Sequence, residues 1–369
     1  MKKAFTIGLA TALAVLSAAA PAVADGEIGG AGAWGPPRCG TVTGDGSVTF
    51  TRNEGKTIAP TSQALRPVVY TSGLVALERR DALLAMSNNV LLSSADAGCT
   101  WTQVSKVEGW YISLTAARGD KAYAWDREGN LSLATPAGVT SLTSPAAEVS
   151  GLGTDRRDGD HVRVSDGDGR LYDSRDGGRS WKPVGVPTGP LAAFYTAAFD
   201  PSDLDHVVAG GMGTGAHVTF DGGHTWIAST GLSGKGGKIS AFSVAISPAA
   251  PNVVYAMGLN SEELDAGAPS GGRHIYRSVD GGRHFTPVVD QSDEVTLVNG
   301  PVLAPHPDDP GVLYFVFGTS FQGYGTDIHR YDAGRRRVTT AHNSYDRVTS
   351  IAFHPKMSQL MYLGVAEER

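Results

Sequence analysis

The feature of the sequence that most restricts its fold is a short motif that occurs four times. The motif reads Ser/Thr-x-Asp-x-Gly and ends in Trp or Phe three residues after the glycine. Self-similarity of this kind is typical of repeat architectures. Each copy follows a β-rich stretch, so each is predicted to form the turn of a hairpin. The four aspartates are Asp96, Asp176, Asp221 and Asp280.

The residue types of this motif, the Asp-box pattern, suit a tight turn. A short Asp carboxylate accepts hydrogen bonds from the backbone of its own turn. The glycine two residues later permits a positive φ. The aromatic ring at the end begins the next strand and packs between neighbouring sheets. The predicted role of the four aspartates is therefore structural.

Three degenerate copies of the motif complete a series. They centre on Asn53, Pro136 and Asp332 and keep only parts of the pattern, so that successive copies are 40 to 59 residues apart. Such intervals fit a four-stranded unit of ~40–50 residues with loop insertions. The sequence therefore predicts an all-β fold, a seven-bladed β-propeller. Each blade contains one turn of the Asp-box type, here called an Asp turn.

A second motif alternates with the first and divides each unit into strands. A proline ends one strand, and an apolar run follows it as a buried second strand. Each blade is therefore predicted to run strand 1, Pro turn, strand 2, variable loop, strand 3, Asp turn, strand 4. The prolines of the clear copies are Pro201, Pro248, Pro307 and Pro355.

The two ends of the chain are predicted to build one blade together. The last unit, which contains Pro355, has room only for strands 1 and 2 before Arg369, whereas the stretch 47–58 supplies strands 3 and 4 without partners. Pairing these halves closes the ring and removes exposed sheet edges. Cys39 precedes this blade and Cys99 lies in the neighbouring Asp turn, so a disulfide between them would lock the closure.

The N-terminus indicates export. Residues 1–24 combine a Lys2-Lys3 start, an apolar run and a small-x-small cleavage site, as in a secretory signal peptide. Residues 25–369 are then a single secreted, extracellular propeller domain, with no membrane span and expected to be a monomer. Its two cysteines suit one disulfide in an oxidising compartment. The net charge of −6 argues against a nucleic-acid partner.

Catalytic, metal-binding and cofactor-binding patterns find little support in the sequence. The histidines are scattered and the Asp166–Gly169 turn lacks the remaining ligands of a calcium loop, so no metal or cofactor is expected. Glycosidases need paired carboxylates. The loop acids Glu262, Glu263 and Asp265 could supply such a pair, but a solvated acidic loop is the favoured interpretation of these residues. A glycan-binding or glycoside-hydrolase propeller remains the alternative to a non-enzymatic protein-binding one.

The four Asp turns and the segments 60–65 and 320–325 resemble the dispase autolysis-inducing proteins of streptomycetes. This resemblance extends over the mature chain. It implies an extracellular, non-enzymatic protein that acts on thermolysin-like metalloproteases and promotes their autolysis. It also implies that accessible glutamines are acyl donors for a secreted transglutaminase.

Among the five glutamines, Gln63 and Gln322 are the predicted transglutaminase sites. Gln63 is assigned to a strand 4–strand 1 connection expected to carry no ladder hydrogen bonds, and Gln322 to a Gly-rich strand 2–strand 3 loop. Both are expected on the open face of the propeller. Gln103 and Gln359 are predicted to be poorer donors because they adjoin strands.

Overall fold

The computed structural model describes residues 34–64, 69–187, 194–232, 239–297, 302–318, 326–343 and 347–367. The predicted signal peptide 1–24 and Gln322 lie outside the described residues. The all-β prediction is confirmed, with one short helix among the described elements. In chain order the elements are β1 Val48–Thr51, β2 Val69–Ala76, β3 Leu83–Ser87, β4 Val90–Ser94, β5 Thr102–Lys106, β6 Ser113–Ala117, β7 Lys121–Trp125, β8 Leu131–Thr135, β9 Gly138–Leu142, β10 Gly151–Thr154, β11 Val162–Ser165, β12 Leu171–Ser174, β13 Lys182–Val184, β14 Phe194–Asp200, β15 Asp203–Gly211, β16 Gly215–Thr219, β17 Ile227–Ala228, β18 Ile239–Ile246, β19 Val254–Asn260, α1 Ser261–Asp265, β20 Arg273–Ser278, β21 Thr286–Asp290, β22 Leu303–Pro305, β23 Val312–Gly318, β24 Thr326–Asp332, β25 Arg337–Asn343, β26 Arg347–His354 and β27 Met357–Glu367.

Consecutive strands pair in antiparallel units of four. The sheets β6–β9, β10–β13 and β22–β25 each follow chain order, as do β2–β5 within a larger sheet. The units β14–β17 and β18–β21 follow the same order and are joined by a single parallel pairing of Gly215 with Ser240. The Pro turns and Asp turns lie at the predicted places between these strands.

Burial decreases from the first strand of a unit to its last. All residues of β6 are buried, whereas β9 contains none that is fully buried. The first strands of successive units contact one another, in the series β26, β2, β6, β10, β14, β18 and β22. The units thus pack side by side around their first strands. This close approach needs small residues, since a Cβ on Gly153 of β10 would overlap Phe199 of β14.

The predicted pairing of the two chain ends is observed. β1 pairs antiparallel with β27, with Val48 opposite Gly364 and Thr51 opposite Met361, and β27 also pairs with β26. The fourth predicted strand is reduced to one bridge between Thr51 and Ile58. Residues from distant parts of the chain therefore share one sheet.

A segment before β1, residues 34–45, spans the seam between this sheet and the β2–β5 unit; we call it the strap. Cys39 of the strap and Cys99 form the predicted disulfide, with their Cα atoms 5.7 Å apart. The Thr43 backbone N–H donates to Cys99 O, and Trp101 N–H donates back to Thr43 O, both at 2.8 Å. The strap thus fastens the chain ends to the neighbouring unit.

Alternating hairpins give each unit two unlike ends. We call the end with the Pro turns and Asp turns the box face. The opposite end, with the second-to-third loops and the connections between units, is the loop face. At the box face buried tyrosines of the second strands link neighbouring units. Tyr123 Oη donates to Gly159 O at 3.1 Å, and Tyr255 Oη donates to Pro310 O at 2.8 Å.

Candidate functional site

The four Asp turns have one hydrogen-bonding scheme. In the turn of Asp176, carboxylate Oδ1 accepts from Ser174 Oγ at 2.8 Å and from the Ser180 backbone N–H at 2.9 Å. The hydroxyl of Ser174 accepts in turn from Gly178 N–H at 2.8 Å. The same partners recur at the other three aspartates, Asp96, Asp221 and Asp280. The carboxylates are occupied by their own turns.

The glycine of the motif is needed for backbone shape and for close packing. Gly98 has φ +84°, which disfavours any side chain, and a Cβ there would lie 2.8 Å from Tyr362 Cε1. The degenerate copy at Asn53 keeps the scheme, because Asn53 Oδ1 accepts from Thr57 N–H at 2.9 Å. The repeated motif therefore encodes a turn, and its side chains point into that turn.

Hydrogen bonds from the Ser180 hydroxyl and backbone lower the pKa of Asp176 to about 2. Those from Thr225 do the same for Asp221, whose pKa is also about 2. A carboxyl with a lowered pKa stabilises the fold above its ordinary value near 4, and this contribution disappears as the pH falls through about 2. The turns of Asp176 and Asp221 therefore weaken only in strong acid.

We expect Asp176→Ala and Asp221→Ala each to lower the melting temperature by a few degrees at neutral pH, because the turn amides lose their acceptor. The difference from wild type should shrink between pH ~4 and ~2 as the wild-type carboxylate is protonated. Thermal melts across this range test the prediction, with the exposed Asp293→Ala as control. A variant that melts like wild type but no longer binds a partner would contradict the structural role.

One of the three loop acids on the loop face, Glu263, is built into a clamp, and the other two are exposed. Glu263 of α1 accepts hydrogen bonds from Asn260 Nδ2 at 2.9 Å and Ser270 Oγ at 3.2 Å, and its Oε2 lies 2.8 Å from His274 Nε2. His274 Nδ1 lies 2.7 Å from Asp290 Oδ1. Burial would raise the pKa of Glu263, but the bonds to His274 outweigh it and the pKa is lowered. A glycosidase acid needs the opposite shift.

Sequence reasoning missed a buried charge cluster between two units near the box face. Asp173 Oδ1 accepts from His161 Nε2 at 2.9 Å and from Arg163 Nε and Nη2, both at 3.0 Å. Arg163 also bonds Asp205 and Leu204 O of the next unit. The signal in the sequence was the run His161-Val-Arg163-Val, in which charged residues alternate with apolar ones. The bonds of Arg163 to both units tie them together.

The structure brings Gln63 and Gln103 into one groove. This groove, of about 230 Å³, runs between the strap and the outer strand β5. Gln63 is exposed, but it lies along the outer edge of the β2–β5 unit and not among the loops of the loop face, where it was expected. The residues lining the groove are Thr43, Gly44, Asp45, Gln63, Leu92, Trp101 and Gln103.

The prediction that the connection around Gln63 carries no ladder hydrogen bonds is wrong. Thr61 forms a parallel bridge with Val42 of the strap, and Ser62 N–H donates to Val42 O at 2.8 Å. The strap supplies a partner strand that the pattern of the repeat did not reveal. Gln103 and Gln359 are also exposed, although both lie in strands.

The described ranges contain no group of three or more His, Cys, Asp or Glu side chains arranged to hold a metal ion. In the same part of the chain, no helix is long and apolar enough to cross a membrane.

Several solved structures are similar to this chain. A GH74 enzyme of Niastella koreensis matches with a TM-score of 0.57 at 15% identity, covering 82% of this chain and 52% of that one. An ancestral GH74 enzyme matches with a TM-score of 0.56 at 14% identity, covering 82% and 45%. The chain thus spans about half the length of these enzymes. YCF48 bound to D1 peptide matches with a TM-score of 0.54 at 13% identity, covering 82% and 98%.

These neighbours are β-propellers, and at such low identity the likeness shows the β-propeller fold alone. No protein-family model matches the chain. In sequence, the chain is 49% identical over 367 residues to the dispase autolysis-inducing protein of Streptomyces mobaraensis, which covers 99% of this chain and 97% of that protein. Identity at this level over nearly the whole of both chains places this protein in the family of the dispase autolysis-inducing protein.

Proposed function

We propose that this protein is a secreted, non-enzymatic protein-binding propeller that acts on thermolysin-like metalloproteases and promotes their autolysis. The observation that carries the proposal is the 49% identity with the dispase autolysis-inducing protein along nearly the full length of both chains. The clamped state of Glu263 supports a binding role over a glycosidase one, since that carboxylate holds a loop in place.

In fold, the proposal is a seven-bladed propeller with Asp-box turns. Six four-stranded units and the sheet shared by β26, β27 and β1 support this number within the described ranges. The recurring hydrogen bonds of Asp96, Asp176, Asp221 and Asp280 support the assignment of these turns as Asp-boxes.

Autolysis is promoted, in this proposal, by a shift in population. One protease molecule cleaves a second one when a segment of the second molecule opens locally. A protein that binds the opened state more tightly than the closed state increases the population of the opened state. The bound protein needs no catalytic group for this. The rate of self-digestion then rises with the concentration of the binding protein until the protease is saturated.

The test is incubation of purified dispase with this protein, followed over time by protease activity and fragment mass. We expect activity to fall and protease fragments to accumulate faster than with dispase alone. The control is a dispase variant without catalytic activity, which should bind but stay intact. Fragmentation of that variant would show that this protein is itself a protease, and unchanged decay of active dispase would refute the proposed function.

We propose further that Gln63 and Gln322 are acyl donors for transglutaminase, which transfers the γ-acyl group to an amine and releases ammonia. The exposure of Gln63 in its groove supports this, while Gln322 lies outside the described residues. Gln103 is exposed in the same groove but is held in the ladder opposite Leu92. Gln63 lies one residue beyond the hydrogen bond from Ser62 to Val42, so the pair compares a glutamine next to a strand pairing with one inside a strand pairing.

We expect an amine probe with transglutaminase to label Gln63 and Gln322 before Gln103 and Gln359, because a donor backbone must bend into the enzyme's cleft. Peptide mapping at partial labelling measures the order. Gln63→Asn, which keeps the amide but shortens the side chain, is the matched control. Earlier labelling of Gln103 or Gln359 would show that strand pairing does not limit the reaction.

A further inference from the structure

An aromatic cluster is displayed on the loop face next to the seam of the ring. It consists of Tyr70, Trp110 and Tyr111 together with Arg347. Trp110 is 68% exposed and Tyr111 37% exposed, and Trp110 is the most exposed large hydrophobic residue of the described chain. The rings of Tyr70 and Tyr111 meet edge to face with centroids 5.0 Å apart. The Arg347 guanidinium lies over Tyr70, 5.6 Å from its centroid.

The backbone that carries Trp110 is held from below. Its N–H donates to Asp126 Oδ2 at 2.9 Å, and Asp126 is buried and also accepts from Asn130 Nδ2 at 2.7 Å. Asn89 Nδ2 donates to Gly109 O on the preceding residue. Tyr111 has φ 50°, a left-handed conformation that is uncommon for an aromatic residue. These bonds hold the connection in an uncommon backbone conformation, in which the indole of Trp110 is exposed to solvent.

Such strain is a reason to look for function, because it persists only when the surroundings impose it. The indole of Trp110 is 68% exposed, although burial of an aromatic side chain of this size is favourable. A connection that is already ordered before binding lowers the entropy cost of association.

The members of the cluster come from three consecutive units. Arg347 begins β26, Tyr70 lies at the start of β2, and Trp110 and Tyr111 lie in the connection from β5 to β6. All are at the loop-face ends of their strands, beside the first strands that line the centre of the ring. The cluster is therefore one continuous patch and lies on the opposite face from the Asp turns.

We infer that this aromatic cluster is the contact through which the protein binds its protease, and that its occupant is apolar interior surface of a locally opened protease molecule. The inference rests on the function proposed above. Trp, Tyr and Arg are the residues that dominate the binding energy of protein interfaces. A protruding indole needs an apolar recess on its partner, and local opening of a folded protein exposes such surface. A contact of this kind binds the open state better than the closed one, as promoted autolysis requires.

The test compares variants on the two faces. Trp110→Ala removes the indole, and Tyr111→Gly removes the second ring at a φ that glycine adopts without strain. Val279→Ala is the matched control, since Val279 is 57% exposed in an Asp turn on the box face. Each protein is checked by its melting temperature. Binding is then measured to a catalytically inactive dispase variant, and the rate of autolysis is measured with active dispase.

We expect Trp110→Ala to weaken binding by about tenfold or more and to slow promoted autolysis in parallel, with Tyr111→Gly acting in the same direction and Val279→Ala like wild type. If the wild-type protein promotes autolysis and both aromatic variants bind dispase and promote its autolysis equally well, the inference is overturned and the proposed function stands. No promotion by wild type would refute the proposed function instead. Loss of self-association or of polysaccharide binding in Trp110→Ala, with protease binding unchanged, would also overturn the inference.

Discussion

Replacing Cys39 and Cys99 with serine is expected to lower the free energy of unfolding by about 4 kcal/mol, because the bridge closes a long loop in the unfolded chain. The two residues are 60 positions apart, and the strap that carries Cys39 lies at the seam where the chain ends meet. The strap keeps other contacts in the absence of the bridge. Trp34 still packs on His354, and Gly35 N–H still donates to Asp81 Oδ1 at 2.9 Å. The variant should therefore fold, with a lower melting temperature.

Denaturant unfolding of the oxidised protein, the reduced protein and the double-serine variant measures this effect. The reduced protein is the control for the serine side chains and should resemble the variant. Two free thiols in an intact-mass measurement of the native protein would refute the bridge. Equal stability of all three proteins would show that the strap contacts suffice to hold the seam.

Replacing Asp173 with alanine is expected to cost about 3 kcal/mol, the lower end of the range for a broken buried ion pair. The side chains of Arg163 and His161 are each only 6% exposed, so the substitution leaves both with one partner fewer away from water. The lower end applies because Arg163 keeps Asp205 and Leu204 O, and His161 keeps Asp155 at 3.0 Å.

The pH dependence of stability separates this effect from a general loss of packing. Burial would lower the pKa of His161, but its hydrogen bonds with Asp173 and Asp155 outweigh burial and raise it. A raised histidine pKa stabilises the fold below its ordinary value near 6.5, and that contribution is lost as the pH rises through the raised value. The stability of Asp173→Ala should therefore fall less than that of the wild type as the pH rises through the raised pKa of His161.

A double variant gives the matched control. Arg163 and Asp173 lie directly opposite each other on β11 and β12, so leucines at both positions can pack across the ladder. We expect Arg163→Leu with Asp173→Leu to be more stable than Asp173→Ala, because the Arg163 guanidinium is then no longer buried beside a missing acid. A double variant that is less stable than Asp173→Ala would show that the cluster acts through more than charge pairing.

Both predictions concern contacts between residues ten or more positions apart in the chain, whereas the features that the sequence revealed are mostly contacts within a turn. Asp176 reaches its partners within four residues, so residue type and spacing are enough to foresee the bonds. Strand order within a unit follows in the same way, because hairpins join neighbours in the chain. The disulfide was foreseen because the exported chain has two cysteines and because the repeat implied that the chain ends share a sheet.

Other features depend on which side chains meet across the gaps between sheets. Thr61 pairs with the strap, Gln63 lines the same groove as Gln103, and Glu263 bonds His274. The period of the repeat predicts none of these contacts. Repeats with the same turns can pack with different side chains between them. The residues that form the Asp turns could therefore be predicted from their spacing in the sequence. The backbone conformation around Trp110, in contrast, depends on hydrogen bonds with Asp126 and Asn89, which are distant in the sequence and come close only in the folded protein.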